Sequence, residues 1–189
     1  MAMTAAEKQR MKEIKERYPF DIKAFVKCAE KTRYGICIAI NKDAGMIGVT
    51  DGHIGFLCKN IEQTISDLVF LHGADDLDRT KLDYDKFVSL FEKQDSILYH
   101  SDMELVKAND CLGFYFSLDD NLLIPVNAGY IDMLQSPLYV EGVKDFHGTE
   151  PIVASYPDGT QFVVLPVKWM RSPEKYKAVC AYHGIEVKD

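Results

Sequence analysis

A short helix followed by three strands is predicted twice in this chain of 189 residues. In residues 21–58, apolar side chains spaced i, i+3, i+4 and i+7 predict a helix with one buried face, and two groups of turn residues then separate three strands. In residues 127–169, Asn127 is expected to cap a short helix, and Pro157-Asp158-Gly159 is expected to join the last two of three strands. The two units share architecture more than residues, and together they predict an α+β domain with pseudo-two-fold symmetry.

Helical segments interrupt and flank this α+β domain, which is expected to span residues 21–170. Residues 60–95 predict an inserted pair of helices, because the expected capping residues Asn60 and Asp83 each precede a row of regularly spaced apolar side chains. Residues 1–20 contain a T-x-x-E capping box and predict an N-terminal helix of which only one edge is apolar. Residues 171–189 contain a Ser-Pro-Glu start signal and predict a C-terminal helix that stops at Gly184.

The cysteines and the charge balance narrow the compartment and the class of partner. The formal net charge of -7 argues against a protein that coats nucleic acid, although it leaves room for a local basic surface. No apolar run has the length of a bilayer span or the pattern of a signal peptide. A cytoplasmic location without a membrane partner is therefore expected. The cysteines are odd in number and form no C-x-x-C pair, which disfavours a secreted disulfide framework: Cys28, Cys37, Cys58, Cys111 and Cys180.

No motif that carries catalysis, a metal or a cofactor is found in the sequence. The five histidines are scattered without zinc-site spacing, and the acidic Asp75, Asp76 and Asp78 lack the glycine and the distal glutamate of a calcium loop. Neither a Gly-rich phosphate-binding loop nor a G-x-S-x-G elbow occurs. The sequence therefore predicts a protein that is not an enzyme, with no catalytic residue, metal ligand or cofactor. A cysteine-dependent enzyme, whose Cys–His pair would be assembled only by the fold, is the less favoured alternative.

Basic residues on the first repeat helix form a candidate DNA-binding site. Lys23, Lys27 and Lys31 have the i, i+4, i+8 spacing that aligns side chains on one helix face, and Arg33 follows them. A row of ammonium groups matches regularly spaced phosphates and contacts a nucleic-acid backbone without reading its sequence. The alternative is an ordinary exposed helix face, since Glu30 interrupts the row.

Three short motifs carry a resemblance to a known family. They are Thr50-Asp51-Gly52-His53, Asn127-Ala128-Gly129-Tyr130 and Val164-Leu165-Pro166-Val167-Lys168, in that order. Taken alone, the first describes a strand that ends in an Asp-Gly turn and the last describes a strand whose proline marks an edge or a bulge. Together with the repeat, over roughly residues 21–169, they resemble the DNA sliding clamp family of bacteria, in which each domain is two units of one helix plus a set of strands.

The resemblance implies a clamp-like fold with a pocket for peptides. In clamps, the T-D-G-H segment and the final V-hydrophobic-Pro-hydrophobic-basic segment line an apolar pocket that receives linear peptides from polymerases and repair proteins. The pocket of a bacterial clamp draws its two motifs from neighbouring domains, so the two motifs of this chain are expected to meet either within the chain or across a contact between two chains. Carried over residue by residue, the implied partner-binding residues are Thr50, Gly52, His53, Leu165, Pro166, Val167 and Lys168.

Two binding functions follow from these observations. The first is a non-enzymatic accessory of DNA metabolism that binds linear peptide motifs of replication or repair proteins, with DNA as a further candidate partner. The second is a small interaction protein on the same fold, an inhibitor or decoy from a phage or mobile element, whose target would be a replication or defence protein. The sequence leaves open whether rings or other homo-oligomers form.

Overall fold

The computed structural model has a mixed α+β fold, with six α-helices and eleven strands among the residues that it describes. The described residues are 3–73, 80–92, 94–107, 110–144, 150–167 and 173–186. The helices are α1 (Ala5–Arg17), α2 (Ile22–Ala29), α3 (Ile61–His72), α4 (Tyr84–Val88), α5 (Ala128–Ile131) and α6 (Pro173–His183), and a 3-10 turn (Ser89–Phe91) follows α4. The strands are β1 (Cys37–Asn41), β2 (Met46–Thr50), β3 (Ile54–Lys59), β4 (Thr80–Lys81), β5 (Ser96–His100), β6 (Leu105–Lys107), β7 (Asp110–Ser117), β8 (Leu122–Asn127), β9 (Tyr139–Gly142), β10 (Ile152–Ser155) and β11 (Gln161–Val164).

One sheet contains all of these strands, and neighbouring strands pair in the order β4-β1-β2-β3-β11-β10-β9-β5-β7. β6 pairs with the same edge of β7 as β5 does, further along the strand. β8 pairs with β7 on the edge opposite to β5 and β6. The described pairs are antiparallel except for β1 and β4, which run parallel. The last strand of the first predicted unit therefore pairs directly with the last strand of the second, with Phe56 opposite Phe162.

The larger core lies between the sheet and helices α1, α2, α3 and α5. At its centre, the Phe20 ring lies 4.8 Å from the Phe56 ring and 4.9 Å from the Phe162 ring, between ring centroids. The Phe25 ring of α2 contacts the Phe56 ring in a T-shaped arrangement at 5.2 Å. Because aromatic side chains bury large apolar areas and prefer such tilted geometries, this cluster holds α2 against the junction of β3 and β11.

The opposite face of the sheet is covered by α4 and the 3-10 turn. Phe87 and Phe91 are buried there, as their helical spacing predicts, and their rings form a T-shaped pair at 5.3 Å. Leu57 and Val163 alternate in direction with their strand neighbours in the larger core, and they supply the sheet side of this second cluster. Gly48 of β2 makes the close approach possible, since a Cβ atom there would lie 2.4 Å from the Phe87 ring.

Helix starts agree with the sequence in most places. Thr4 and Glu7 form the reciprocal capping box of α1, and the Asn127 side chain accepts a hydrogen bond from Gly129 N at the start of α5. The Asp83 side chain caps α4 in the same way. Asn60, by contrast, was a wrong capping prediction: its backbone is left-handed, with φ of 67°, and its side chain makes no capping hydrogen bond. The left-handed residue turns the chain directly from β3 into α3.

Several element ends differ from the predicted ones. α2 ends at Ala29 and not near residue 32, so Lys31 lies in the turn that follows the helix. β11 ends at Val164, although a strand to residue 169 is predicted, because Pro166 has no N–H to donate to a sheet ladder. The predicted strand end Trp169, the predicted cap Ser172 and the predicted loop with Asp75, Asp76 and Asp78 lie outside the described residues. The two-residue strand β4 carries too little pattern for a sequence-based prediction.

Candidate peptide-binding pocket

The T-D-G-H segment is a turn fixed by its own side chains, between the end of β2 and the start of β3. The buried Asp51 carboxylate accepts hydrogen bonds through Oδ1 from His53 N at 2.8 Å and from Ile54 N at 2.9 Å. The Thr50 hydroxyl donates to Ile54 O at 2.7 Å and accepts from Gly52 N at 2.9 Å. Gly52 has a φ of +89°, which favours glycine at this position.

The second motif is fastened to this turn within the same chain. The last residue of β11, Val164, is opposite Ile54, and the next residue, Leu165, donates its N–H to His53 O at 2.8 Å. Two residues later, Val167 donates its N–H to Pro125 O of β8 at 2.9 Å. The chain therefore leaves the sheet at Leu165 and turns toward β8. Of the two arrangements that the sequence allows, the motifs meet within one chain.

The inserted helix α4 supplies the third wall of a pocket between the two motifs. The pocket has a volume of about 270 Å³ and is lined by Thr50, Gly52, His53, Ile54, Leu82, Asp83, Lys86, Phe87, Leu90, Val163 and Leu165. Its floor is apolar, because Ile54, Phe87 and Val163 are buried in the sheet and under α4. A concave apolar site of this size accepts one large apolar side chain and not a drug-sized molecule.

Polar side chains lie only at the rim of the pocket, within the described residues. The His53 side chain is exposed and makes no hydrogen bond or ion pair with the described residues. Lys86 is also exposed, and its Nζ lies 3.9 Å from an Asp83 carboxylate oxygen, so the two charges partly cancel. Such an exposed pair contributes little to stability. The rim thus combines an imidazole, an ion pair and a half-buried Leu165 around an apolar floor.

Four of the seven predicted partner-binding residues line the pocket, namely Thr50, Gly52, His53 and Leu165. Pro166 is not among the lining residues, and Val167 packs against a separate apolar cluster beside α6. Lys168 lies outside the described residues. The contribution of α4 is missing from the sequence prediction. The apolar spacing of Phe87 and Leu90 signals one buried face, but it does not say which part of the sheet that face covers.

The predicted basic residues are exposed but do not share one helix face. Lys23 and Lys27 lie on α2, whereas Lys31 and Arg33 follow the end of the helix. The Arg33 guanidinium lies over the Tyr34 ring, 5.2 Å from its centroid. α5 carries no basic residue, so a second row of cations opposite α2 is not provided by that helix. Of these four residues, which we call the basic edge, only Lys23 and Lys27 therefore lie on α2 at the i, i+4 spacing.

Four of the cysteines, Cys28, Cys58, Cys111 and Cys180, lack the properties of activated nucleophiles. Burial raises the pKa of the Cys28 and Cys180 thiols and brings that of Cys58 to about 11. The pKa of the Cys111 thiol is raised mainly by its hydrogen bond to the Glu104 carboxylate. A raised pKa keeps the thiol protonated at neutral pH and makes it a poor nucleophile. All five cysteines are free of disulfides.

One serine–histidine pair is present, and its geometry is structural. The Ser101 Oγ lies 2.6 Å from His183 Nε2 and also accepts a hydrogen bond from Met103 N. The serine is fully buried, and the imidazole of His183 stacks on the Phe116 ring at 4.3 Å. The hydroxyl is closed to solvent, and the hydrogen bond joins α6 to the residue that follows β5, while the ring contact joins α6 to β7. Among the described residues, no group of His, Cys, Asp or Glu side chains is arranged to hold a metal ion.

Two comparisons with known proteins found no match to this chain. No protein-family model matches the sequence, and no curated protein is significantly similar to it. Within the described residues, no helix has the length and apolarity that crossing a membrane requires.

Proposed function

We propose that this chain is a non-enzymatic accessory of DNA metabolism that binds a linear peptide of a replication or repair protein in the pocket between β3, β11 and α4. The observation that carries the proposal is the convergence of Thr50, Gly52, His53 and Leu165, from two distant motifs, on one apolar pocket. An apolar floor with few polar groups at its rim suits an extended peptide with one apolar anchor.

The strand order supports a clamp-like architecture. Three consecutive strands, β1-β2-β3, lie on one side of the β3–β11 pair, and three others, β9-β10-β11, lie on the other side in the reverse order. Each set of three follows one helix in the chain, α2 or α5. Both helices pack against the same core, and Asp21 N at the start of α2 donates to Met133 O just after α5 at 2.9 Å. A pseudo-two-fold axis between β3 and β11 accounts for this arrangement.

The outer edges of these six strands favour a chain that works without closing a ring. β4 pairs with Cys37 and Ile38 of β1 on one side, and β5 pairs with residues 140–142 of β9 on the other, so part of one edge and most of the other are paired within the chain. Backbone groups that are already paired are not available for pairing with a second chain. This observation, together with the net charge of -7, also favours the second candidate function, an inhibitor or decoy that captures a protein without DNA.

Affinity capture with a pocket variant tests the proposal. We expect the wild-type chain to retain replication or repair proteins from a native lysate, with or without nuclease treatment. The combination of His53→Ala and Leu165→Asp should lose those proteins, because it removes the rim imidazole and places a charge on the apolar wall. Burial of one large apolar anchor contributes roughly 1.5–3 kcal/mol, so losing its site should lower retention at least tenfold.

The matched control is Leu118→Asp, which places the same charge on an apolar side chain that is 59% exposed and does not line the pocket. Urea unfolding must show that both variants are folded before retention is compared, since Leu165 is half-buried. Retention of an unchanged set of proteins by the folded pocket variant would contradict the proposal. Retention of a defence protein, with no replication or repair protein among the retained proteins, would favour the decoy function.

A further inference from the structure

The border of the pocket continues from Gly52 onto an exposed aromatic ring. A Cβ atom at Gly52 would lie 3.0 Å from Tyr34 Cδ2, so the ring packs directly on the backbone of the T-D-G-H turn. Tyr34 is 53% exposed, and its ring forms a partly apolar surface just outside the pocket. A peptide that leaves the pocket past Gly52 would therefore run over Tyr34.

Beyond this ring lies an exposed cation, Arg33. Arg33 lies on the Tyr34 ring, and among the described residues no carboxylate forms an ion pair with Arg33 or with the exposed Lys31. The acidic residue nearest to Arg33 in the sequence is Glu30, which is exposed and forms no ion pair with any described residue. At the α4 wall of the pocket, by contrast, Lys86 is already paired with Asp83. Of the cations around the pocket, Arg33 is therefore the better placed to accept an acidic partner.

The distance between the pocket and the guanidinium matches a short peptide. The contacts from Gly52 to Tyr34 and from Tyr34 to Arg33 bridge on the order of 10 Å, which about three extended residues span. A guanidinium held over an aromatic ring keeps its outer N–H groups free to bind a carboxylate in bidentate geometry. The aromatic ring also limits the freedom of the arginine side chain, which lowers the entropy lost on binding.

We infer that the occupant of the pocket is an acidic linear peptide, whose apolar anchor side chain enters the pocket and whose Asp or Glu, about three positions away, pairs with Arg33. The inference rests on the proposed function and adds the chemistry of the partner. It explains why a chain of net negative charge presents, at the border of its apolar pocket, a cation that forms no ion pair with the described residues. The anchor supplies affinity, and the acidic residue supplies specificity and direction.

The test is an NMR titration of the ¹⁵N-labelled full chain with a panel of synthetic nonapeptides in a Gly-Ser background. Each peptide carries one anchor (Leu, Met, Phe or Trp) and, three positions before or after it, one Asp, Asn or Lys. Backbone amide shifts at Gly52 and Leu165 report on the pocket, and the side-chain Nε–H of Arg33 reports on the cation. Weak binding of single-anchor peptides is measurable in this way.

The expected result is tighter binding of the Asp peptides than of the matched Asn peptides, by about two- to fivefold for one exposed ion pair. This preference should disappear in Arg33→Gln and in 1 M salt, where screening acts within about 3 Å. Lys23→Gln is the matched control, because it also removes one exposed cation but lies at the start of α2, and it should keep the preference.

The outcomes separate the two proposals. If all peptides shift the pocket amides equally and Arg33→Gln changes nothing, the acidic-partner inference is wrong while peptide binding stands. If no peptide shifts the amides of Gly52 and Leu165, both proposals are wrong. A short DNA duplex that shifts Arg33 while the Asp peptides do not, or pocket shifts that depend only on protein concentration, would overturn the inference in favour of DNA or of a second copy of the chain.

Discussion

Gly48 and Phe87 provide the sharpest test of how the pocket is built, because the Phe87 ring of α4 packs on β2 at a position that has no side chain. An alanine at Gly48 would place its Cβ 2.4 Å from two atoms of the Phe87 ring, well inside van der Waals contact. The ring is buried and paired with Phe91, so it cannot move away without opening this cluster. Overpacking of this kind costs about 1–3 kcal/mol. We therefore expect Gly48→Ala to lower the free energy of unfolding by that amount.

The sign of the same substitution should reverse once the ring is gone. Phe87→Ala by itself should lower the free energy of unfolding by about 3–5 kcal/mol, because it removes a buried ring. In that background, the methyl group of an alanine at position 48 enters the space that the ring has left. Alanine is favoured over glycine inside a strand by roughly 0.5–1 kcal/mol, so Gly48→Ala should then be neutral or stabilising. The coupling between the two sites, which is the difference between these two effects of Gly48→Ala, is thus expected to be about 1–4 kcal/mol.

Urea unfolding of the four proteins in this double-mutant cycle measures the coupling. Thermal unfolding gives an independent measurement, in which each 1 kcal/mol of lost stability lowers Tm by about 2–4 °C for a chain of this size. The pocket amides of Gly52 and Leu165 should also lose their peptide-induced shifts in Gly48→Ala, because α4 forms one wall of the pocket. Additive effects of the two substitutions, or a Gly48→Ala chain as stable as the wild type, would refute the packing of α4 on β2.

Two further predictions concern the basic edge and the cysteines. If Lys23, Lys27 and Lys31 contact phosphates, their joint replacement by glutamate should abolish retention on DNA and flatten its salt dependence without unfolding the chain; a wild type that shows no DNA affinity at low salt ends this hypothesis. The Cys58 thiol, with a pKa raised by burial to about 11, should resist alkylation at pH 8 in the folded chain and react in guanidinium, whereas rapid labelling of the folded chain would revive the cysteine-dependent alternative.

Local signals in the sequence were sufficient for the starts of helices and for most strands. The Thr4–Glu7 capping box and the Asp83 cap are short-range interactions, so three or four neighbouring residues contain the whole signal. Asn60 has the residue type of a cap but adopts a left-handed backbone, because asparagine is also favoured in that conformation. The composition of a cap therefore predicts a helix start better than it predicts the geometry there.

Long-range packing is the part that local patterns leave undetermined. The spacing of Phe87 and Phe91 predicts a buried face, yet the place where that face docks depends on Gly48, almost forty residues earlier. A glycine inside a strand usually signals a bulge or a close approach, and its partner cannot be read from the strand itself. For the same reason, four motif residues could be selected as candidate pocket residues, while the α4 wall could not.

The pocket motif contains side chains that the fold uses and side chains that it does not. The side chains of Thr50 and Asp51 form hydrogen bonds that stabilise the turn. Gly52 supplies the positive φ and the contact with Tyr34. These roles would suffice for an ordinary turn. The His53 imidazole, however, forms no hydrogen bond with the described residues and remains exposed beside the half-buried Leu165. The proposed peptide binding depends on this pairing of an apolar side chain with an exposed imidazole at one shared pocket.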